Sequence, residues 1–124
     1  MNTEFTLWHN PRCTKSRETL QILKDNNKNP IIREYLKDKP SESEIFNILE
    51  LLKIDTNNKN EVLTIVRQKE KFWNSENIIL SELSAKEIIE KLGEFPKGIQ
   101  RPICIKNNTI AVIGRPPENI LPLL

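Results

Sequence analysis

The chain has 124 residues, which suits one compact domain with a hydrophobic core. Its formal net charge is +2, and its basic residues are mixed with acidic ones, so no dense basic run indicates binding to nucleic acid. The chain has two widely separated cysteines and one histidine, a composition that argues against both a disulfide scaffold and a zinc site.

The apolar segments are too short for targeting or membrane insertion. Polar residues follow the first apolar run, residues 5–8, at once, so we expect no signal peptide. No stretch approaches the length of a transmembrane span. These features predict a cytoplasmic protein with reduced thiols and without a membrane or nucleic-acid partner. The mixed polar surface predicts a monomer.

The first third of the chain predicts a β-α-β unit. Residues 4–8 are predicted to form a strand, residues 14–26 a helix, and residues 31–36 a second strand. Asn10-Pro11 marks a turn between the first strand and the helix. Such a unit favours a right-handed crossover and parallel strands.

A helical middle follows. Ser41, with a glutamate three residues later, predicts the capped start of one helix. The next predicted helix has Arg67 near its end. Ser81 and Ser84 bracket the start of a third, and Gly93 is a plausible stop for it.

The last section returns to strands. Residues 102–105 and 110–113 flank a polar turn, as in a hairpin, and a proline-led terminal helix follows. The element order predicts an α/β fold, a thioredoxin-like three-layer sandwich with a mixed four-stranded sheet. We expect one domain over residues 1–124, with a helical insertion at about 40–95. Pro102 precedes the third strand, the place of the cis proline that faces the active-site cysteine in thioredoxin-like folds.

The strongest chemical signal is Cys13, which lies between the turn and the first predicted helix. Unpaired backbone N–H groups and the positive end of the helix dipole converge at a helix N-terminus. A thiol there can have its pKa lowered and become nucleophilic, and the same N–H groups can hold an anion. The sequence therefore predicts a nucleophile beside an anion site, against the alternative of an ordinary buried cysteine.

Three neighbours of this cysteine are candidates for supporting roles. His9 could hold a thiolate as a cation or hydrogen-bond donor, or could be a structural histidine. Ser16 could donate its hydroxyl to the sulfur, or could be an ordinary residue of the first helical turn. Arg17 is at the unfavourable end of the helix dipole, which suggests an anion or a carboxylate as its partner.

Cys104 lies between two isoleucines in a predicted strand, so we interpret it as a small buried hydrophobic residue. Position 16, three residues after Cys13, is Ser16, so the chain has no CxxC pair. A redox cycle at Cys13 would therefore need an external thiol.

Two arginines are predicted to lie together at one end of the sheet. Arg101 precedes the third strand and Arg115 follows the fourth, and each is followed by proline, which restricts its backbone. The two ends of a hairpin are adjacent, so these guanidinium groups could clamp an oxyanion. The alternative for each is an ordinary surface arginine.

Over nearly its whole length the chain resembles glutaredoxin-coupled arsenate reductases and their relatives, in the compact branch of that family. The residues that carry the resemblance are five segments: 9–20 (HNPRCTKSRETL), 34–36 (EYL), 66–70 (VRQKE), 101–103 (RPI) and 113–117 (IGRPP).

This resemblance implies a thioredoxin-like fold and reduction of arsenate to arsenite, with glutathione as co-substrate, glutaredoxin as partner and no bound cofactor or metal. Residue by residue, it implies that Cys13 is the catalytic cysteine and that His9 assists its thiolate. It further implies that Arg67, Arg101 and Arg115 hold the oxyanion, and that Pro102 supports the site.

Two other functions stay open on the same fold. One is a glutathione-linked thiol–disulfide oxidoreductase, which would use Cys13 but would have little need for Arg67, Arg101 and Arg115. The other is a non-enzymatic regulatory or interaction protein, since the family contains regulators that bind RNA polymerase. Those regulators usually carry a CxxC switch, and Ser16 argues against that branch.

Overall fold

In a computed structural model, which describes residues 3–124, the chain forms two compact units. The first runs to Asp38 and resumes at Arg101–Leu124; the second is Lys39–Gln100. The first contains β1 (Phe5–Trp8), α1 (Thr14–Asp25), β2 (Ile31–Arg33), β3 (Ile103–Lys106), β4 (Ile110–Ile113) and a terminal 3-10 helix (Pro117–Leu123). The predicted single domain over residues 1–124 stays a prediction.

The four strands of the first unit form one mixed sheet in the order β2-β1-β3-β4. β1 is parallel to β2 and antiparallel to β3, and β3 is antiparallel to β4. This is the predicted α/β fold with a mixed four-stranded sheet and a thioredoxin-like order of elements.

Helix α1 and the terminal 3-10 helix pack against each other. Their apolar faces enclose a core with the inward side chains of the sheet, whose buried members are Phe5, Leu7, Leu23, Cys104, Ile120 and Leu123. Pro117 is the first residue of the 3-10 helix, a position that the fixed φ angle of proline favours.

The second predicted strand is shorter than expected. β2 ends at Arg33, and the N–H groups of Lys37 and Asp38 both donate to the carbonyl of Glu34, so the chain turns at residues 34–38. The reason is a tertiary contact: Tyr35 is fully buried and its ring stacks on Trp8 with 5.7 Å between centroids. The prediction of a strand over 31–36 was therefore wrong at its C-terminal half.

The second unit is helical. It contains α2 (Glu42–Leu51), α3 (Lys59–Leu63), α4 (Phe72–Ser75), α5 (Ala85–Glu94) and 3-10 helices at Leu80–Glu82 and Pro96–Gly98. Helices α2 and α5 pack together, and α3 packs on α5. Their core consists of fully or almost fully buried aliphatic residues: Ile45, Leu49, Val62, Ile65, Ile88, Ile89 and Leu92.

Local sequence signals set where the two longer helices of this unit begin. Ser41 caps α2 in a reciprocal capping box with Glu44, as predicted, and Ser84 caps α5 in the same way with Glu87. The prediction that Gly93 stops the third helix was wrong, since α5 continues to Glu94. A Cβ atom at Gly93 would be 3.6 Å from Ile45 Cδ1, an ordinary contact, so nothing there requires glycine.

Candidate active site

Cys13 is the N-cap residue of α1, with extended backbone angles (φ −91°, ψ 123°). Its N–H donates to the carbonyl of Asn10 at 2.9 Å, and its own carbonyl accepts from the N–H of Arg17 at 3.0 Å. The turn thus delivers the thiol to the open N-terminus of a twelve-residue helix, as the sequence predicted.

The environment of this thiol favours its charged form. Partial burial raises the pKa of Cys13, but the N–H of Ser16, the guanidinium of Arg101 and the N–H of Lys15 outweigh burial and leave the pKa below its usual value. The Cys13 side chain forms no cap hydrogen bond. The N–H groups of Ser16 and Lys15 thus contribute to the lowered pKa as donors at the positive end of the helix dipole.

Arg101 and Arg115 lie together beside this sulfur. Arg115 Nη1 is 3.9 Å from Cys13 Sγ and also donates to the carbonyl oxygen of Arg101 at 3.2 Å. The pairing of β3 with β4 extends one step further, since the N–H of Gly114 donates to the carbonyl of Pro102 at 2.9 Å. The hairpin therefore brings the two arginines to one end of the sheet, as their spacing predicted.

The prolines that follow these arginines share a backbone geometry. The Arg101-Pro102 peptide bond is cis, as expected from the place of Pro102 before the third strand. The Arg115-Pro116 bond is also cis, which the sequence reasoning did not anticipate. Asn119 Nδ2 donates to the carbonyl of Arg115 at 3.0 Å and fixes this second loop against the 3-10 helix.

Two residues that support the site escaped the sequence reasoning. Thr19 is fully buried on α1 and its hydroxyl donates to the carbonyl of Lys15 at 2.8 Å. A Cβ atom at Gly114 would be 2.6 Å from Thr19 Oγ1 and 3.0 Å from Pro102 Cγ. Only a residue without a side chain lets the strand end approach α1 this closely. The sequence signal that could have indicated this close approach is a glycine between the fourth strand and Arg115-Pro116.

His9 and Ser16 form a buried pair next to the nucleophile. His9 Nδ1 is 2.6 Å from Ser16 Oγ, and Ser16 Oγ also accepts from the N–H of Asn10 at 3.0 Å. Burial lowers the pKa of His9; Glu34 opposes this shift, and Arg17 and Lys24 reinforce it. The lowered pKa disfavours the cationic role among those predicted for His9 and leaves the hydrogen-bonding and structural roles.

The hydroxyl of Ser16 therefore has partners other than the sulfur. Its proposed donation to Cys13 is replaced by contacts to His9 and Asn10, and it is the backbone N–H of Ser16 that favours the thiolate. Ser16 thus ties the turn that precedes Cys13 to the first turn of α1.

Arg17 contacts the turn before α1, and no carboxylate within residues 3–124 pairs with it; an anion as its partner stays a prediction. Its guanidinium donates to the carbonyl of Pro11 at 2.9 Å and to Thr14 Oγ1 at 3.3 Å. These bonds hold the turn against the helix start and compensate for a cation at the positive end of the dipole.

Cys104 is a buried thiol of the sheet. It is fully inaccessible, lies opposite Leu7 on β1, and burial raises its pKa to about 11. Both cysteines are free. The interpretation of Cys104 as a small buried hydrophobic residue is confirmed.

Arg67 belongs to the second unit and lies outside a helix, because α3 ends at Leu63. The prediction of a helix reaching Arg67 was wrong: its N–H donates to the carbonyl of Gly98 at 2.7 Å, beside a bridge between Val66 and Ile99. Trp73 Nε1 donates to the Arg67 carbonyl at 3.0 Å. Its role as an oxyanion ligand stays a prediction.

The guanidinium of Arg67 is paired within its own unit. Arg67 Nε and Nη2 both contact Glu70 Oε1, at 2.8 and 2.7 Å. An anion that bound Arg67 would share it with this carboxylate.

Residues 3–124 contain no cluster of three or more His, Cys, Asp or Glu side chains that could hold a metal ion. No helix in that part of the chain is long and apolar enough to cross a membrane.

A family model called ArsC matches residues 8–123, a range that includes Cys13 and both Arg-Pro pairs. This chain belongs to the ArsC family. The match extends over both compact units, so the helical insertion is part of the ArsC pattern.

Individual ArsC relatives agree with this assignment. An arsenate reductase of Haemophilus influenzae is 39% identical over 118 residues, which cover 95% of this chain and 97% of that protein. The solved structure of an arsenate reductase from Vibrio cholerae superposes with a TM-score of 0.88 at 35% identity, and each chain is covered completely. The regulatory protein MgsR of Bacillus subtilis is 31% identical over 99% of this chain and 92% of its own length.

Proposed function

We propose that this chain reduces arsenate to arsenite through the thiolate of Cys13, with electrons from glutathione and glutaredoxin. One observation supports the proposal above the others: a cysteine whose pKa is lowered lies at a helix N-terminus with Arg115 Nη1 3.9 Å from its sulfur. An oxyanion that meets this site finds a nucleophile, N–H donors and guanidinium groups together.

In the first step, the Cys13 thiolate attacks arsenic(V). A sulfur–arsenic bond forms, and an arsenate hydroxyl leaves as water after taking one proton from solvent. Arg101 and Arg115 neutralise the arsenate oxygens, so that two anions can approach each other and charge in the transition state is stabilised. The oxidation state of arsenic does not change in this step.

In the second step, a glutathione thiolate attacks the sulfur of Cys13. A sulfur–sulfur bond forms, the sulfur–arsenic bond breaks, and its electron pair reduces arsenic(V) to arsenic(III), which leaves as arsenite. Cys13 is left as a mixed disulfide with glutathione. Glutaredoxin removes this glutathione by thiol–disulfide exchange and returns Cys13 to its thiolate.

The other site residues act around these two steps. The family resemblance assigns Arg67 to the arsenate. The arsenate would then compete for this guanidinium with Glu70, whose Oε1 is 2.7 Å from Arg67 Nη2. His9 and Ser16 position the turn that carries the nucleophile, and the family resemblance assigns His9 to assist its thiolate.

Turnover of arsenate tests this proposal. The wild-type protein is supplied with arsenate, glutathione, glutaredoxin, glutathione reductase and NADPH, and NADPH oxidation is followed beside Cys13→Ser and Cys104→Ala. We expect arsenate-dependent turnover in the wild type and in Cys104→Ala, and none in Cys13→Ser. Turnover that survives in Cys13→Ser would contradict the proposal.

A glutathione-linked oxidoreductase gives a different result in the same assay. It would oxidise NADPH when offered a glutathionylated peptide, at a rate that arsenate leaves unchanged. Such an outcome would assign Cys13 to thiol exchange alone.

A regulatory function is the second candidate, favoured by the 31% identity to MgsR over almost the whole chain. It predicts no turnover with arsenate or with a glutathionylated peptide. It also predicts co-purification of RNA polymerase with the tagged protein, in amounts that change when Cys13 is replaced by serine.

A further inference from the structure

A groove lies beside the nucleophile, between the turn that precedes Cys13 and the turn that follows β2. It has a volume of about 230 Å³, and residues 9–12 form one wall. Glu34, Leu36 and Lys37 form the other. The two walls are joined at their base, where the N–H of His9 donates to the carbonyl of Arg33 at 2.9 Å.

The groove's place follows from the topology. β1 and β2 are parallel neighbours, so the chain leaves both strands at the same edge of the sheet. Crevices outside the carboxyl ends of parallel strands are where α/β proteins bind ligands. Cys13 follows β1 at this same edge, directly after the groove residue Arg12.

The charges of the groove form a pattern. Arg12 and Lys37 are cationic and Glu34 is anionic, so the lining carries a net positive charge with one carboxylate. Lys37 Nζ is 3.6 Å from Glu34 Oε1. This ion pair is exposed, so a charged ligand can replace either partner at a small cost in free energy. Within residues 3–124, no hydrogen bond or ion pair engages the guanidinium of Arg12, whereas its N–H is held by Asn10 Oδ1 at 3.1 Å.

Apolar surface completes the lining. Leu36 is 42% exposed and lines one wall, and Pro11 lines the opposite wall. The groove thus offers an apolar strip flanked by charged side chains, a combination found in small-ligand sites.

We propose that this groove binds the tripeptide part of glutathione while its sulfur meets Cys13. Glutathione has two carboxylates and one ammonium group, the complement of two cations and one carboxylate. We assign its carboxylates to Arg12 and Lys37, its ammonium to Glu34, and its backbone to the strip formed by Leu36 and Pro11. The inference rests on the proposed function, for which it supplies the binding site of the reducing co-substrate.

The test uses a reaction that needs no arsenate. Cys13 attacks oxidised glutathione, which forms the Cys13–glutathione disulfide and releases one glutathione thiolate. Hydroxyethyl disulfide undergoes the same exchange, but it is neutral and offers the groove no charged groups to bind. The rates of both reactions are measured by mass spectrometry for the wild type, Arg12→Gln and Lys37→Gln. Lys106→Gln is the control, because it removes a partly exposed cation of the same unit that lies opposite Phe5, at the end of β1 away from the groove.

We expect the wild type to prefer oxidised glutathione over the neutral disulfide. Arg12→Gln and Lys37→Gln should each slow the glutathione reaction by about fivefold, the effect of losing one exposed ionic contact. The hydroxyethyl disulfide rate should not change, because the nucleophile is intact, and Lys106→Gln should behave as the wild type.

Three results would overturn the proposal: no preference in the wild type, equal slowing of both disulfides, or a Lys106→Gln effect as large as that of Arg12→Gln. The result is independent of arsenate turnover. A protein that fails to reduce arsenate but keeps this charge-dependent preference would contradict the proposed function and leave the glutathione site standing.

Discussion

The guanidinium of Arg115 joins the two halves of the site, since one nitrogen lies 3.9 Å from Cys13 Sγ and 3.2 Å from the carbonyl oxygen of Arg101. The nucleophile comes from the start of α1 and the arginines come from the ends of the β3–β4 hairpin, almost a hundred residues later. This contact makes the chemistry of Cys13 depend on the geometry of the hairpin.

Replacement of Arg101 by alanine should raise the pKa of Cys13, because its guanidinium stabilises the thiolate. The rate of alkylation by iodoacetamide, measured against pH, should then rise at higher pH than in the wild type. Lys28→Gln is the control, because Lys28 lies over the ring of Phe5 at the opposite end of β1. Superimposable profiles for Arg101→Ala and wild type would remove Arg101 from the thiolate's environment.

Only one of the two thiols should react in the native protein. Cys104 is fully buried and its pKa is raised to about 11, so it is neither accessible nor ionised at pH 8. Titration with Ellman's reagent should give one thiol per folded chain and two after denaturation. Fast modification of the one remaining thiol in native Cys13→Ser would show that the sheet opens around Cys104.

The unfolding free energy should decrease as the pH falls through about 6.5. The pKa of His9 in the folded protein is below the 6.5 of a free histidine, so in this range the unfolded chain binds a proton that the native chain does not. Stability is therefore greatest above 6.5 and is lost as the pH drops toward the folded pKa.

Urea denaturation between pH 5.5 and 7.5 measures this effect, and the assignment is simple because the chain has one histidine. In His9→Gln the dependence over this range should flatten. A slope that survives the substitution would assign the effect to another group.

Gly114→Ala and Gly93→Ala should change stability in opposite directions. A Cβ atom at Gly114 would be 2.6 Å from Thr19 Oγ1, and we expect a loss of about 1–3 kcal/mol from overpacking. At Gly93, inside α5, alanine has room and should gain about 0.5–1 kcal/mol in helix propensity.

Chemical denaturation checks the sign of each change. Gly114→Ala should also lower the rate of arsenate turnover in the coupled assay, since it displaces the strand end that carries Arg115. Full stability and full activity in Gly114→Ala would show that the strand end adjusts without cost.

The elements that the sequence predicted well are those set by local rules. The cap at Ser41, the helix start near Ser84 and the turn before Cys13 each depend on residues a few positions apart. The placement of Arg101 beside Arg115 needed only the assumption of a hairpin.

The failures have tertiary causes. The strand predicted to reach residue 36 ends early because Tyr35 turns inward onto Trp8, a contact that alternation of residues does not encode. The sequence left His9 open between a cation, a hydrogen-bond donor and a structural residue, because the burial that lowers its pKa is set by the tertiary fold. The contact of Thr19 with Gly114 spans 95 positions and has no local signature.

Asn107 and Asn108 form the turn of the β3–β4 hairpin, and both have positive φ angles, 52° and 57°. Asparagine tolerates this left-handed conformation better than most residues. The turn sets which residue of β3 is opposite which residue of β4, from Lys106 with Ile110 to Ile103 with Ile113. A shift of one residue there would reverse the faces of a whole strand and carry Arg115 away from Arg101. These two asparagines lie at the far end of the sheet from Cys13, yet their turn determines where Arg115 lies. A change in loop length at this turn would therefore displace Arg115 from Cys13 without altering any residue near the sulfur.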